Sequence, residues 1–223
     1  MSGREKAGDF RDAVLEFFFP TRCCLCRRLT GAGVLLCAAC RTKYPDVPPQ
    51  LQAQHLKGLE KCVSPLWYGG EVREALLRFK FGERQGYAQP FAEFLAKCLD
   101  ENGISCDSIT WAPLSSRRLR KRGYDQSRLL AETLAGLTGL PCEGLLEKTR
   151  HTRPQSGLRG REARRLNASG AYRAPDPASI AGKRILLVDD IVTTGETLME
   201  CARVLKAAGA KSVTAVTAAR KRV

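Results

Sequence analysis

The sequence predicts an α/β protein: a mainly parallel β-sheet flanked by helices, with a small cysteine-rich appendage at its N-terminal end. Three observations carry this expectation. From about residue 62, apolar runs alternate with helical patterns, the order that builds a parallel sheet covered on both faces. The runs ILLV (185–188) and VTAV (213–216) lack polar alternation and suit strands buried on both sides. Two Cys-x2-Cys pairs lie close together near the start.

The 223 residues can bury a sizeable core, as one domain or as a domain with an appendage. In the first twenty, Phe10, Val14, Phe17 and Phe18 share one helical face, which predicts a short amphipathic helix stopped at Pro20. Asp9, Arg11, Asp12 and Glu16 interrupt any apolar core of an export signal. No segment reaches the roughly 20 apolar residues of a membrane-spanning helix. The expectation is a cytoplasmic protein without membrane insertion.

Ten cysteines in a reducing compartment call for something other than disulfides. Cys62, Cys98, Cys106, Cys142 and Cys201 are scattered singly, and most of them read as small buried hydrophobes. Cys23 with Cys26, and Cys37 with Cys40, form two knuckles that each aim two sulfurs at one ion, and four thiolates complete a tetrahedron. These four are expected to hold a structural Zn2+ in a closed ribbon; Cys24 is either a spare thiol or a replacement for Cys23. The expected organisation is 1–45 for the helix and zinc ribbon, 46–61 for a linker rich in Pro and Gln, and 62–223 for the α/β domain. His55 reads as a solvated linker residue.

Within 62–223, CVSPLWYGG predicts a strand ending in a glycine turn. VREALLRFK and AQPFAEFLAKCLDENG predict helices, the second stopped at Gly103. SITWAPL predicts a strand, QSRLLAETLAGLTG an amphipathic helix, RILLVDD a strand, ETLMECARVLKAAGA a helix and SVTAVTAAR a final strand.

Asp189 and Asp190 stand where a buried strand ends, the place where open parallel sheets bind ligands. Adjacent carboxylates repel, so a metal ion or hydroxyl donors should use them. The following Thr193, Thr194, Gly195, Glu196 and Thr197 open a helix, whose backbone N–H groups and threonine hydroxyls can cradle an anion. Gly195 permits a positive φ or a close backbone approach. The loop thus pairs acceptors for a diol with donors for a phosphate, and a ribose 5-phosphate has both. A lesser role, as a helix cap only, fits Asp190 or Thr194 taken alone. Neither a P-loop nor a dinucleotide fingerprint occurs.

LLVDDIVTTGETL resembles the loop that binds 5-phosphoribosyl 1-pyrophosphate (PRPP) in type I phosphoribosyltransferases. The whole chain resembles the ComF family through its double-CxxC ribbon, LLRFKFGER, WAPLSSRRLRKRGYDQSRLLA and TRPQSGLRGREARRLNASGAY, in that order. Asp125 departs from it, since the family usually carries Asn there. The resemblance implies a type I phosphoribosyltransferase-like fold in which Asp189 and Asp190 hold the ribose 2′- and 3′-hydroxyls and are candidate catalytic residues. Thr193 to Thr197 would hold the 5′-phosphate. Ser115, Ser116 and Arg117 would form the pyrophosphate loop, and 152–165 a mobile flap. PRPP with Mg2+ and transfer of its phosphoribosyl group to an unidentified acceptor follow as expectations.

The formal charge of +14 points to an anionic partner. Arg117, Arg118, Arg120, Lys121 and Arg122 form one basic cluster; Arg159, Arg161, Arg164 and Arg165 form a second. They can handle pyrophosphate, contact single-stranded DNA alongside competence machinery, or form a solvated basic face. ComF-like proteins are associated with DNA uptake, so a DNA-handling factor and a non-catalytic PRPP sensor stand as alternatives to the transferase. No residue presents itself as a general base.

Overall fold

A computed structural model of the chain describes residues 20–82, 84–150 and 168–222. The expected helix around Phe10 to Phe18, the flap at 152–165 and the second basic cluster lie outside these residues. Two compact units are present, Met1–Tyr44 and Pro45–Val223.

In the first unit, helix α1 (Ala38–Lys43) starts from Cys37, whose sulfur accepts from the Cys40 N–H. Cys23, Cys24, Leu25, Leu36, Cys40 and Tyr44 are buried, a small apolar set with four cysteines at its centre.

The second unit begins with α2 (Pro49–Gln52), β1 (Ala53–Gln54), β2 (Cys62–Val63), β3 (Leu66–Trp67), α3 (Gly70–Phe81) and α4 (Ala88–Glu101). There follow β4 (Ser108–Trp111), α5 (Ser116–Arg122), α6 (Gln126–Thr138), β5 (Glu147–Lys148), β6 (Tyr172–Arg173), β7 (Arg184–Val192), α7 (Glu196–Ala207) and β8 (Ser212–Arg220). The main sheet has the order β1-β2-β8-β7-β4, with β3 also on β8. All its pairings are parallel except β1 with β2. Strands β5 and β6 form a separate antiparallel pair.

β7 is the axis. Its Ile185 and Leu187 join the apolar cluster with Leu198, Cys201, Ala202 and Leu205 of α7. Strand alternation turns the equally buried Leu186 and Val188 to the other face. Helix α3 buries Val72, Ala75, Leu76 and Phe79, an i, i+3, i+4, i+7 stripe. The described residues hold no helix long and apolar enough to cross a membrane.

Two expectations need correction. The strand predicted across 62–70 is two short strands, with Ser64 and Pro65 between them; Pro has no N–H to continue a ladder. Ser64 is instead anchored by a 2.7 Å hydroxyl contact with Thr217 of β8. Residues 46–61 are not a linker, because they carry α2 and β1 and pack into the larger unit. Gln52 is fully buried there, donating to Glu101 Oε2 (2.8 Å) and accepting from Asn102 Nδ2 (2.7 Å). A polar residue so paired costs little to bury, so composition hides it. His55, by contrast, is exposed as read.

Candidate functional site

The site is assembled at the carboxyl end of β7 from pieces distant in sequence. Asp189 and Asp190 end its apolar run. Asp189 Oδ1 accepts from the Ser127 hydroxyl in the first turn of α6 and from the Asp190 N–H, both at 2.8 Å. Asp190 Oδ2 lies 2.6 Å from Lys80 Nζ of α3, and both side chains are largely buried. Lys80 and Ser127 went unnoticed in the sequence because nothing local links them to two acids a hundred or sixty residues away. Burial first, then the charge of Asp190, pushes Asp189 up to about 7.

The chain then turns through Thr193 and Thr194 to Gly195, whose φ of 77° lies in the left-handed region. Helix α7 begins there without a side-chain cap hydrogen bond from Gly195, and the positive end of its dipole favours an anion. Thr194 Oγ1 is buried and has no hydrogen-bond partner among the described residues. Glu196 is buried and Thr197 half-buried. A Cβ on Gly195 would sit 2.6 Å from Leu56 Cδ1, so the segment that carries Leu56 roofs this loop. Gly195→Ala is expected to lower stability by about 1–2 kcal/mol through backbone strain, with Leu56 swinging aside. Urea denaturation of wild type and variant measures it.

Ser115 is buried and caps α5 by position, its C=O accepting from Leu119 N–H at 2.9 Å. Ser116 and Arg117 open that helix. Asp125 caps α6 through its Oδ1, which accepts from Ser127 and Arg128 N–H, while its Oδ2 accepts from Leu114 N–H at 2.8 Å. One carboxylate therefore ties the Pro113–Arg117 loop to the helix that holds Ser127. An Asn offers only one acceptor oxygen, so the acid found here suits a double acceptor role. Burial outweighs these bonds and raises the Asp125 carboxyl.

In the smaller unit, the sulfurs of Cys23, Cys26, Cys37 and Cys40 lie within 4.8 Å of one another. The Cys26–Cys37 separation is 3.6 Å. Zn–S bonds of about 2.3 Å give tetrahedral edges of about 3.8 Å, so the four fit zinc. Cys24 is outside the cluster, buried, its N–H bonded to Leu35 C=O. Burial raises Cys23, but N–H donors from Cys37, Cys26 and Leu25 outweigh it and bring the thiol down to about 7. Burial pushes Cys40 well up. A divalent ion would remove that conflict by holding all four as thiolates.

Residues 120–223 match the family model of the phosphoribosyl transferase domain. Competence protein F of Haemophilus influenzae is 28% identical over 221 residues, covering 88% of this chain and 95% of the relative. The DNA utilization protein YhgH of Salmonella typhimurium is 31% identical over 199 residues, covering 86% of each chain. The chain belongs to the ComF family. This ComF member is also similar to ribose-phosphate pyrophosphokinase 2 of Archaeoglobus fulgidus, at 26% identity over 223 residues, with 88% of this chain and 81% of the relative covered. Its mainly parallel sheet with flanking helices is the type I phosphoribosyltransferase fold expected from the sequence, and its four-cysteine cluster is consistent with the zinc ribbon.

Proposed function

We propose that the chain binds PRPP with Mg2+ and transfers the phosphoribosyl group to an acceptor, releasing pyrophosphate. The observation that carries this is the buried Thr194 hydroxyl, unpartnered among the described residues, in the loop between the strand that carries the two acids and the uncapped start of α7. A phosphate satisfies the hydroxyl and complements the helix N-terminus together. A diol satisfies the carboxylates. The phosphoribosyl transferase match and the ribose-phosphate relative support the same chemistry.

Asp189 and Asp190 accept from the ribose hydroxyls, and Thr193, Thr194, Gly195, Glu196 and Thr197 bind the 5′-phosphate. Ser115, Ser116 and Arg117 face the pyrophosphate. The bond between C1 and the diphosphate oxygen breaks as the acceptor's bond to C1 forms; the electron pair leaves with pyrophosphate and the acceptor gives up a proton. Fixed charges stabilise the charge that develops on the leaving oxygens better than water does. When bound, Mg2+ would be held beside Asp189 and would supply further neutralisation of the charge on the leaving group. The reaction belongs in the cytoplasm.

Calorimetric titration of PRPP into the zinc-loaded protein, with and without Mg2+, tests this beside Asp189→Asn/Asp190→Asn. Mg2+-dependent binding that disappears in the variant is expected. A well-folded wild type that takes up no PRPP overturns the proposal. The pH dependence has a definite sign. Asp189 gains a proton as pH falls below about 7 and then loses acceptor capacity, so PRPP affinity should fall with it. The free protein should move the other way: a raised carboxyl favours the folded state when protonated, so stability grows as pH drops through 7.

A second reading, single-stranded DNA handling, is favoured by the relatives' names and by Phe81, 66% exposed, with the Arg122 guanidinium 5.0 Å from its ring centroid. DNA affinity that falls steeply with salt and survives Asp189→Asn/Asp190→Asn supports it. A PRPP sensor shares the site but releases no pyrophosphate.

A further inference from the structure

Lys148 lies on β5, in antiparallel register with Tyr172 of β6. Its neighbour Glu147 is exposed and pairs with Arg173 at 2.6 Å. Strand alternation therefore turns Lys148 to the opposite, partly buried side. There its ammonium donates to the Tyr172 hydroxyl at 2.8 Å and stands 4.7 Å from the centroid of the same ring. Tyr172 is buried and in turn shares a hydrogen bond with Thr197, in the first turn of α7.

Among the described residues, the titratable and charged groups around Lys148 come from several elements. They are Tyr172 of β6, Arg118 of α5, Cys201 of α7, Asp189 of β7 and Asp125 at the start of α6. Arg118 repels it, and neither acid reaches it: among the described residues no carboxylate lies within ion-pair distance of its Nζ. Burial first, then Arg118, brings its amine down to about 8. A half-buried lysine beside another cation, hydrogen-bonded among the described residues only to a phenol, is expensive unless an anion arrives.

We propose that Lys148, presented by Tyr172 between α5 and the start of α7, is an anion-binding residue of the ribose-phosphate site and receives a phosphoryl oxygen of the ligand. This rests on the PRPP reading given above and adds to it a residue from β5. A bound polyanion holds the amine in its charged form, so at pH 8 the site takes up a proton as it fills. The Tyr172–Thr197 link couples that cation to the loop expected to hold the 5′-phosphate. The proximity of Arg118 connects it to the pyrophosphate side.

The test titrates PRPP, ribose 5-phosphate and inorganic pyrophosphate calorimetrically, at pH 8, in buffers of different ionisation enthalpy. Wild type, Lys148→Met and Lys148→Arg are compared. The wild type should take up a fraction of a proton per PRPP. Lys148→Met should bind PRPP about ten- to a hundred-fold more weakly and take up none, since a charge-assisted hydrogen bond is lost. Lys148→Arg, always charged, should recover part of the affinity without proton uptake. Whichever of the two smaller ligands loses affinity in Lys148→Met identifies the phosphoryl group contacted. A thermal melt of the free protein gives an independent readout: Lys148→Met should melt higher at neutral pH, because it removes a desolvated charge, whereas a lysine with a structural role would leave it lower. Wild-type affinity and proton uptake in Lys148→Met would overturn the assignment of Lys148 while leaving the PRPP site intact. Absence of PRPP binding in the folded wild type would overturn the PRPP site itself, and Lys148's role with it.

Discussion

One zinc per chain should be found by elemental analysis, and its removal with a chelator should unfold residues 20–44 and expose four thiols to a disulfide reagent. Zinc in small fingers contributes an apparent binding free energy on the order of 10–16 kcal/mol. The apolar side chains buried among the described residues of this unit, chiefly Leu25, Leu36 and Tyr44, cannot replace that. Cys37→Ser should lose the metal and show the same thiol reactivity at its remaining ligands. Cys24→Ser should keep full zinc content, because Cys24 stands outside the cluster. A Cys24 variant depleted of zinc would overturn this assignment of the four ligands.

Lys80→Met should destabilise the larger unit by about 3–5 kcal/mol, since removing one partner of a buried ion pair leaves the other charge uncompensated. Adding Asp190→Asn to that variant should recover much of the loss, because an amide needs no counter-charge there. A double-mutant cycle in urea measures the coupling. If the two single changes simply add, the 2.6 Å contact carries no energy of its own. The pair also matters for binding. Lys80 occupies one oxygen of Asp190, so a ribose hydroxyl must use the other or share it. Lys80→Met should therefore change PRPP affinity as well as stability, and calorimetry on the folded fraction separates the two.

These two predictions differ in how visible their residues are from the sequence. The cysteine spacing was legible because each knuckle is local: two residues between sulfurs set their separation whatever surrounds them. The loop after β7 was legible for the same reason, since a strand end, a glycine and a helix start are neighbours in the chain. The final strand was read with its correct limits, Ser212–Arg220, because small and β-branched residues, buried on both faces, run through it without a charge until Arg220. The helices over α3, α4, α6 and α7 showed their 3.6-residue stripes, and their ends moved by only a few residues.

What the sequence determined by itself was the α/β class, the four-cysteine cluster and the two acids that precede a glycine-bearing helix start, all encoded over a few adjacent residues. Tertiary structure alone decided which side chains meet them. Lys80 reaches Asp190 across 110 residues, Ser127 reaches Asp189 across 62, and Leu56 covers Gly195 from a segment whose Pro and Gln content looked like a linker. The physical reason is range. Hydrogen-bonded turns and hydrophobic periodicity act within one element and leave a pattern in sequence, whereas a single buried contact between distant elements leaves only two unremarkable letters.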